Sequence, residues 1–417
     1  MRHLILGNSA AGIFAAEAIR KHDPVAEITI LSDEKYPVYS RCLLTYYLAG
    51  DCGEEQLSIR DADYYQKMDI RFRPGEKAIR IEPEKKCVYT LSERKYEYDR
   101  LLIATGAGPE VPFIPGGACR AVFNGLRTLN DAKSMLRYAQ PGKHAVILGA
   151  GQVSLKTAYG LRKQGMDVTV LSASSQIFSQ ALDEYAAGLV EGHLTRHGIR
   201  FLKQKDVNEI QSFDDTVCAV KTSDGDVLPA DLVVIGKGVR PNVDCIRGSG
   251  IHIDFGVIVD SQLRTNIPDI FAAGDVIETF DLARLCQRVN AIWPNATEQG
   301  RIAGLNMLGG KIEYRGSIAM NSTELFGFSA ISGGFARGEE PEYEVRRYIS
   351  VDGSYRRLVF KDDLLVGYIL AGETGNAGLL TAIIREGKRL GNRKEKLINS
   401  GKIFYSLFYH HQHPVVS

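Results

Sequence analysis

The sequence predicts an α/β protein: two parallel-sheet units followed by a C-terminal α+β segment. Three observations carry that prediction. A short apolar run, His3 to Leu6, breaks at Gly7-Asn8-Ser9-Ala10-Ala11-Gly12 and gives way to a helical pattern through Ile13, Ala16 and Ile19. The same order returns at Ala145 to Leu148, followed by Gly149-Ala150-Gly151-Gln152-Val153-Ser154 and a helix to about Gln164. From about Ile318 the chain changes character, with strand-like Tyr343–Val351, Tyr355–Phe360 and Leu364–Leu370 and then a helical stretch Ala377–Arg389. Crossover helices between successive strands make the first two sheets parallel.

Each unit has the grammar of a Rossmann-like dinucleotide site. In the first, Glu27 to Leu31 is the second strand, and Asp33 and Glu34 stand at its end. Gly7 makes the tight turn, the helix N-terminus faces a pyrophosphate, and Gly12 lets the helix pack on the strand. Ser9 stands where the pattern has its second glycine. In the second unit, Asp167 to Leu171 ends at Ser172 without an acid, and Ser154 replaces the third glycine. One such match is weak; two in the same context are much harder to obtain by accident. Residues 70–100 and 207–228 read as polar, alternating meanders. They lead into the buried-type strands Leu101–Ile103 and Leu232–Ile235.

Composition limits the function. Glycine is 42 of 417 residues, about a tenth, and it comes in clusters that mark close backbone approach rather than a repeat. The formal net charge of +1 argues against bulk electrostatic binding of nucleic acid. No apolar run approaches the ~20 residues that span a bilayer, and the N-terminal Leu4–Leu6 reads as a strand, not a signal peptide. The 7 cysteines are scattered without CxxC pairs, so neither a disulfide framework nor a metal site is expected, and a cytoplasmic setting is.

Three longer strings narrow the reading: Tyr98 to Ala107 (YDRLLIATGA), Gly238-Val239-Arg240-Pro241-Asn242, and Asn266 to Asp275 (NIPDIFAAGD). With them the chain resembles the flavoproteins with two dinucleotide-binding domains: pyridine nucleotide-disulfide oxidoreductases, NADH oxidases, and rubredoxin or ferredoxin reductases. The resemblance implies FAD on the first unit, near Gly7, Ser9, Ala10 and Gly12. Asp33 or Glu34 would bind its adenosine ribose, and Asp275 after Gly274 its ribityl chain. Arg41, Thr105, Gly106, Glu298 and Gln299 fall in further cofactor-binding strings. NAD(P)H would lie near Gly149, Gly151, Ser154, Ser172 and Gly238, and hydride would pass from nicotinamide to flavin. The implied domains are 1–112 and 240–317 for FAD, 113–239 for NAD(P), and 318–417 as an α+β interface or docking domain. No Arg or Lys lies between Leu171 and Phe178, which tilts the expectation to NADH.

Within the family, Tyr39-Ser40-Arg41 followed by Leu43-Leu44, and Trp293 to Gly304, look like the rubredoxin reductase and nitrite reductase flavin-domain type. That branch implies a small iron–sulfur or rubredoxin-type partner. Cys42 competes: it occupies the place of the single redox cysteine of NADH oxidases, peroxidases and coenzyme A-disulfide reductases. The alternative for Cys42 is a small apolar filler. Lys156 stands where the family usually carries a glutamate that pairs with a lysine near flavin N5, and that lysine's place here holds Tyr46 or a neighbour. Lys156 then either supplies the positive charge beside N5 or snorkels to the surface. A third reading is an electron-relay subunit of a larger redox complex with a degenerate NAD(P) site, motivated by Ser9, Ser154 and Lys156.

In the C-terminal segment, a homodimer interface is one implication of the resemblance. The cluster Arg385, Lys388, Arg389, Arg393, Lys394 and Lys396 is either a solvated face or a docking patch for an acidic carrier. The run Phe404–Tyr409 reads as packing, and His410, His411 and His413 as a solvated tail.

Overall fold

The computed structural model describes residues 1–391 and 393–399. The aromatic run, the histidine tail and the Lys396 side chain lie outside the described residues.

In chain order the first elements are β1 (Arg2–Leu6), α1 (Ala10–His22), β2 (Glu27–Ser32), α2 (Leu44–Ala49), β3 (Ile70–Pro74) and β4 (Arg100–Ile103). There follow β5 (Val122–Phe123), α3 (Leu129–Leu136), β6 (His144–Leu148), α4 (Gln152–Lys163), β7 (Asp167–Ser172), α5 (Glu184–Arg196), β8 (Ile199–Lys203) and β9 (Leu232–Ile235). The last are β10 (Ile270–Ala272), α6 (Trp293–Met307), β11 (Met320–Leu325), β12 (Phe328–Gly334), β13 (Glu344–Ile349), β14 (Tyr355–Lys361), β15 (Leu364–Ala371) and α7 (Ala377–Glu386).

The chain forms two compact units. The first takes in Met1–Ala173, Ile199–Asp281 and Cys286–Ser317 and holds two parallel sheets, in the orders β10-β4-β1-β2-β3 and β8-β7-β6-β9-β5. Strands β1, β4, β6 and β9 are almost wholly buried, as strands covered on both faces must be. Each sheet carries a small antiparallel meander, Ala78–Glu82 to Lys95–Glu97 and Val207–Phe213 to Val227–Pro229. Ile70–Pro74, read from the sequence as part of the first meander, is instead β3, a parallel edge strand beside β2.

The second unit comprises Ser174–Gly198, Leu282–Leu285 and the chain from Ile318. Its antiparallel sheet runs β11-β12-β15-β14-β13, with α7 packed on β12 and β15. Strands β11 and β12 had no distinct signal, because their apolar positions are interrupted by glycine and serine. Arg357 is fully buried here and pairs with Asp183 at 3.2 Å, while Asp183 also caps α5 through Ala186 N–H. Among the described residues no helix is long and apolar enough to cross a membrane, and no cluster of His, Cys, Asp and Glu could hold a metal ion.

Candidate active site

The first glycine turn is a place where side chains do not fit. Gly7 has φ +125°, and a Cβ on it would lie 2.0 Å from Ala104 O. A Cβ on Gly12 would lie 1.9 Å from Gly7 O. Gly7 N–H donates to Leu31 O at 2.9 Å, which fixes the turn across the tops of β1 and β2. Ser9 is extended at the N-cap of α1, and its side chain makes no capping bond. The first-turn amides and the positive end of the helix dipole are therefore presented without a side-chain cap, as an anion site requires. Helix α6 crosses α1 at backbone contact: a Cβ on Gly300 would lie 2.2 Å from Ala11 O and one on Gly304 2.6 Å from Ala15 O.

That crossing delivers Asp275. Gly274 has φ +89°, and its N–H donates to the buried Gln299 Oε1 at 2.8 Å. Burial pushes the Asp275 carboxyl above the ordinary range, opposed by Arg127 and Arg41. The Arg127 guanidinium stands 3.6 Å from Asp275 and donates to Ala107 O at 3.0 Å, yet its buried Nε has no partner. A carboxyl raised by burial and an orphaned guanidinium N–H in one place fit a ligand that brings both hydroxyls and negative charge. The sequence reading missed Arg127. Its signal was Thr128-Leu129-Asn130-Asp131, a capping box that fixes the start of α3 and with it the preceding arginine.

The two acids after β2 divide. Glu34 is held by Arg41 and by Tyr39 Oη (2.6 Å), and Arg41 also donates to Arg127 O at 2.6 Å. Asp33 is exposed and makes no hydrogen bond or ion pair among the described residues. Thr105 is tied to Asn242 by paired bonds of 2.8 and 2.9 Å, and Gly106 (φ +69°) faces open space. Ala10 is buried at the start of α1, and Glu298 is half-buried on α6.

The second turn repeats the first with one exchange. Gly149 has φ +105°, donates to Leu171 O at 2.7 Å, and would place a Cβ 2.4 Å from Gly236 O. Gly151 is the N-cap of α4, has no side-chain cap bond, and has nothing within 4 Å of where a Cβ would be. Ser154 is 1% exposed and donates from Oγ to Gly236 O at 3.2 Å. Ser172 is buried at the end of β7, and Gly238 adopts φ +127°.

Cys42 lies on the single turn Arg41–Leu43 before α2 and is exposed. Surrounding protein atoms push its thiol up, and Lys156 is the largest influence pulling it back down. Lys156 is half-buried, and burial pushes its ammonium pKa down; the charge acting on it is Cys42.

Comparison with known proteins agrees with this geometry. Residues 1–300 match the pyridine nucleotide-disulphide oxidoreductase family. The chain is 31% identical over 411 residues to the assimilatory nitrate reductase electron transfer subunit of Bacillus subtilis, covering 97% of this chain and 52% of that protein. It thus spans about half the length of that relative and of the Bacillus subtilis nitrite reductase [NAD(P)H], of which it covers 47%. Among solved structures, a NAD-dependent persulfide reductase from A. fulgidus superposes with a TM-score of 0.88 at 29% identity, covering 94% of this chain and 78% of that one. The ferredoxin reductase for the CYP199A2 system from Rhodopseudomonas palustris gives a TM-score of 0.84 at 26% identity, covering 95% and 99%.

Proposed function

Because the chain belongs to the pyridine nucleotide-disulphide oxidoreductases, whose cofactors are FAD and NAD(P)H, we propose that it carries electrons between a nicotinamide and a small iron–sulfur or rubredoxin-type protein. The observation that carries the reading is the pair of uncapped glycine turns opening from two parallel sheets of one unit, with Asp275 and Arg127 beside the first. Bound FAD and NAD(P)H supply the hydride and single-electron chemistry. The chain's part is to hold them. On this assignment Gly7, Ser9, Ala10 and Gly12 form the first phosphate cradle. Asp33 takes the ribose, Asp275 and Arg127 take the hydroxyl and phosphate side of FAD, and Gly149, Gly151 and Ser154 form the second cradle. Residues 1–112 and 240–317 serve FAD, which the pairing of β10 with β4 in the sheet of β1 supports. Residues 113–239 serve the nicotinamide.

The full-length likeness to a ferredoxin reductase supports the small-carrier partner. The exposed side chains Arg385, Lys388, Arg389 and Arg393 suit an acidic one. In rapid mixing without oxygen, NADH is expected to bleach the flavin band and an oxidised ferredoxin to restore it in one-electron steps. No restoration by any such carrier would overturn the proposal.

A second reading is favoured by the exposed Cys42 and by the likeness to a persulfide reductase: Cys42-dependent reduction of a sulfur or oxygen substrate. Cys42→Ser separates the two, leaving carrier reduction intact under the first and abolishing turnover under the second. The relay-subunit reading draws support from the likeness to an electron transfer subunit, while Ser154 completes the second turn rather than blocking it.

A further inference from the structure

A single turn, Tyr64–Lys67, delivers a tyrosine to the first glycine turn. The Tyr65 ring stacks on Phe72 of β3, with centroids 4.4 Å apart and planes 11° from parallel, and meets Tyr64 edge-on at 5.1 Å. Two aromatic neighbours therefore fix where its hydroxyl points. That hydroxyl donates to Asn8 Oδ1 at 2.8 Å and accepts from Val38 N–H at 3.0 Å, while Asn8 Nδ2 donates to Tyr36 O at 3.4 Å. The directions of these bonds follow from chemistry. Tyr36 O can only accept, so the Asn8 amide turns its Nδ2 there and its Oδ1 to Tyr65; Val38 N–H can only donate, so the phenol proton is left for Asn8.

Asn8 stands between Gly7 and the N-cap Ser9, where a side chain of this kind has an alternative. Asparagine readily accepts from the backbone N–H two residues on, closing a local turn. At this position that N–H belongs to Ala10, the first residue of α1 and one of the amides without an intrahelical partner. An Asn8 side chain bound there would cover the anion site from within. Ser9 makes no capping bond, so the uncapped state of α1 also depends on Asn8 being kept off its first amide. Tyr65 and Tyr36 O do this by engaging both the acceptor and a donor of the Asn8 amide.

We propose that Tyr65 is a positioning residue of the FAD site: by holding the Asn8 side chain it keeps the first-turn amides of α1 open to the pyrophosphate. This rests on the assignment of FAD to the first turn. FAD affinity is measured by ultrafiltration of the diluted holoprotein, with thermal unfolding of the same samples. Tyr65→Phe can keep the stack on Phe72 and removes only the hydroxyl. It is expected to weaken FAD binding roughly tenfold, the lower end for leaving such groups unpaired. In Tyr65→Phe/Asn8→Ala the side chain that would be set loose is gone, and most of that affinity is expected to return. Tm should stay as low as in the single variant, because Val38 N–H still lacks its partner. A purely structural Tyr65 would lower affinity equally in both variants; that result, or wild-type affinity in Tyr65→Phe, overturns the proposal. Should Tyr65→Phe not fold, Phe72→Leu unseats the ring with the hydroxyl in place, and Asn8→Ala should likewise recover the affinity it loses. Gly12→Ser separates the proposal from its premise. If Gly12→Ser loses FAD and Tyr65→Phe does not, the role of Tyr65 falls alone. If Gly12→Ser keeps wild-type affinity, FAD lies elsewhere and the proposal falls with the assignment.

Discussion

The two glycine turns of the first unit solve one packing problem with exchanged residues. In the first, the helix carries Gly12 and the neighbouring strand ends in Ala104; in the second, the helix carries Ser154 and the strand ends in Gly236. The positions correspond, since Ile103 pairs with Leu6 as Ile235 pairs with Leu148, and Ala104 and Gly236 follow directly. In the second turn the residue opposite Ser154 is Gly236, where a Cβ would lie 2.0 Å from Ser154 Oγ; in the first, Gly12 is confined by the backbone Gly7 O. A missing motif glycine is therefore not decay of the site when the facing strand supplies one. The second turn also gains a hydrogen bond, Ser154 Oγ to Gly236 O, which the first cannot make.

The largest expected break is Gly12→Ser, which copies the second turn's helix residue into the first. Its Cβ would fall 1.9 Å from Gly7 O, a backbone atom that cannot swing aside. Overpacking of this kind costs about 3 kcal/mol or more, and the turn that would hold the FAD pyrophosphate is displaced with it. Purified protein should show a lowered Tm and little bound flavin. A flavin-replete variant with the wild-type Tm would show that the two turns are not equivalent.

Next comes acid. His3 on β1 is 1% exposed, with neither ring nitrogen hydrogen-bonded, and burial pushes its pKa down to about 4; the matching residue on β6 is Ala145. Because the folded value lies below the unfolded 6.5, the unfolded chain takes up a proton that the folded one refuses. Stability is then full above pH 6.5 and falls as pH drops towards 4, by about 3 kcal/mol in all. Denaturant melts of wild type and His3→Leu across that window should diverge, with the variant flatter. Parallel curves would mean that His3 gains a partner or water when protonated.

The fold was legible where periodicity and glycine agree. The strand–turn–helix of both units, the two meanders and the C-terminal strands from Glu344 could be read directly. What was not legible depends on partners far away in the chain. Arg127 becomes part of the site only because Asp275 is brought to it by the α1–α6 crossing. Asp33 rather than Glu34 is left as the candidate acid because Arg41 and Tyr39 claim Glu34. Ser154 looked like a defect because its complement, Gly236, lies on another strand.

That complement can be tested as a pair. Gly236→Ala would put a Cβ 2.0 Å from Ser154 Oγ and should destabilise by about 1–3 kcal/mol. In the double variant Ser154→Gly/Gly236→Ala, the second turn acquires the first turn's arrangement, and stability should return apart from the lost hydrogen bond. A double-mutant cycle should give a coupling of about 1–2 kcal/mol. Additive effects would mean that the exchange is coincidental.

The smallest effect on stability, and the sharpest on function, is expected at Gly151. A Cβ there meets nothing within 4 Å, and the residue's extended backbone suits any side chain, so Gly151→Ala should leave stability within about 0.5 kcal/mol of wild type. The counterpart in the first turn is Ser9, also extended at an uncapped N-cap, which shows that a small side chain is tolerated by the turn itself. On the proposed assignment, the methyl would occupy the approach of a dinucleotide to the α4 amides. Calorimetric titration with ADP-ribose, which carries the pyrophosphate but cannot donate hydride, should therefore show weaker binding to Gly151→Ala at unchanged Tm. Equal binding would place the pyrophosphate elsewhere and would leave the second turn as packing, unlike the first.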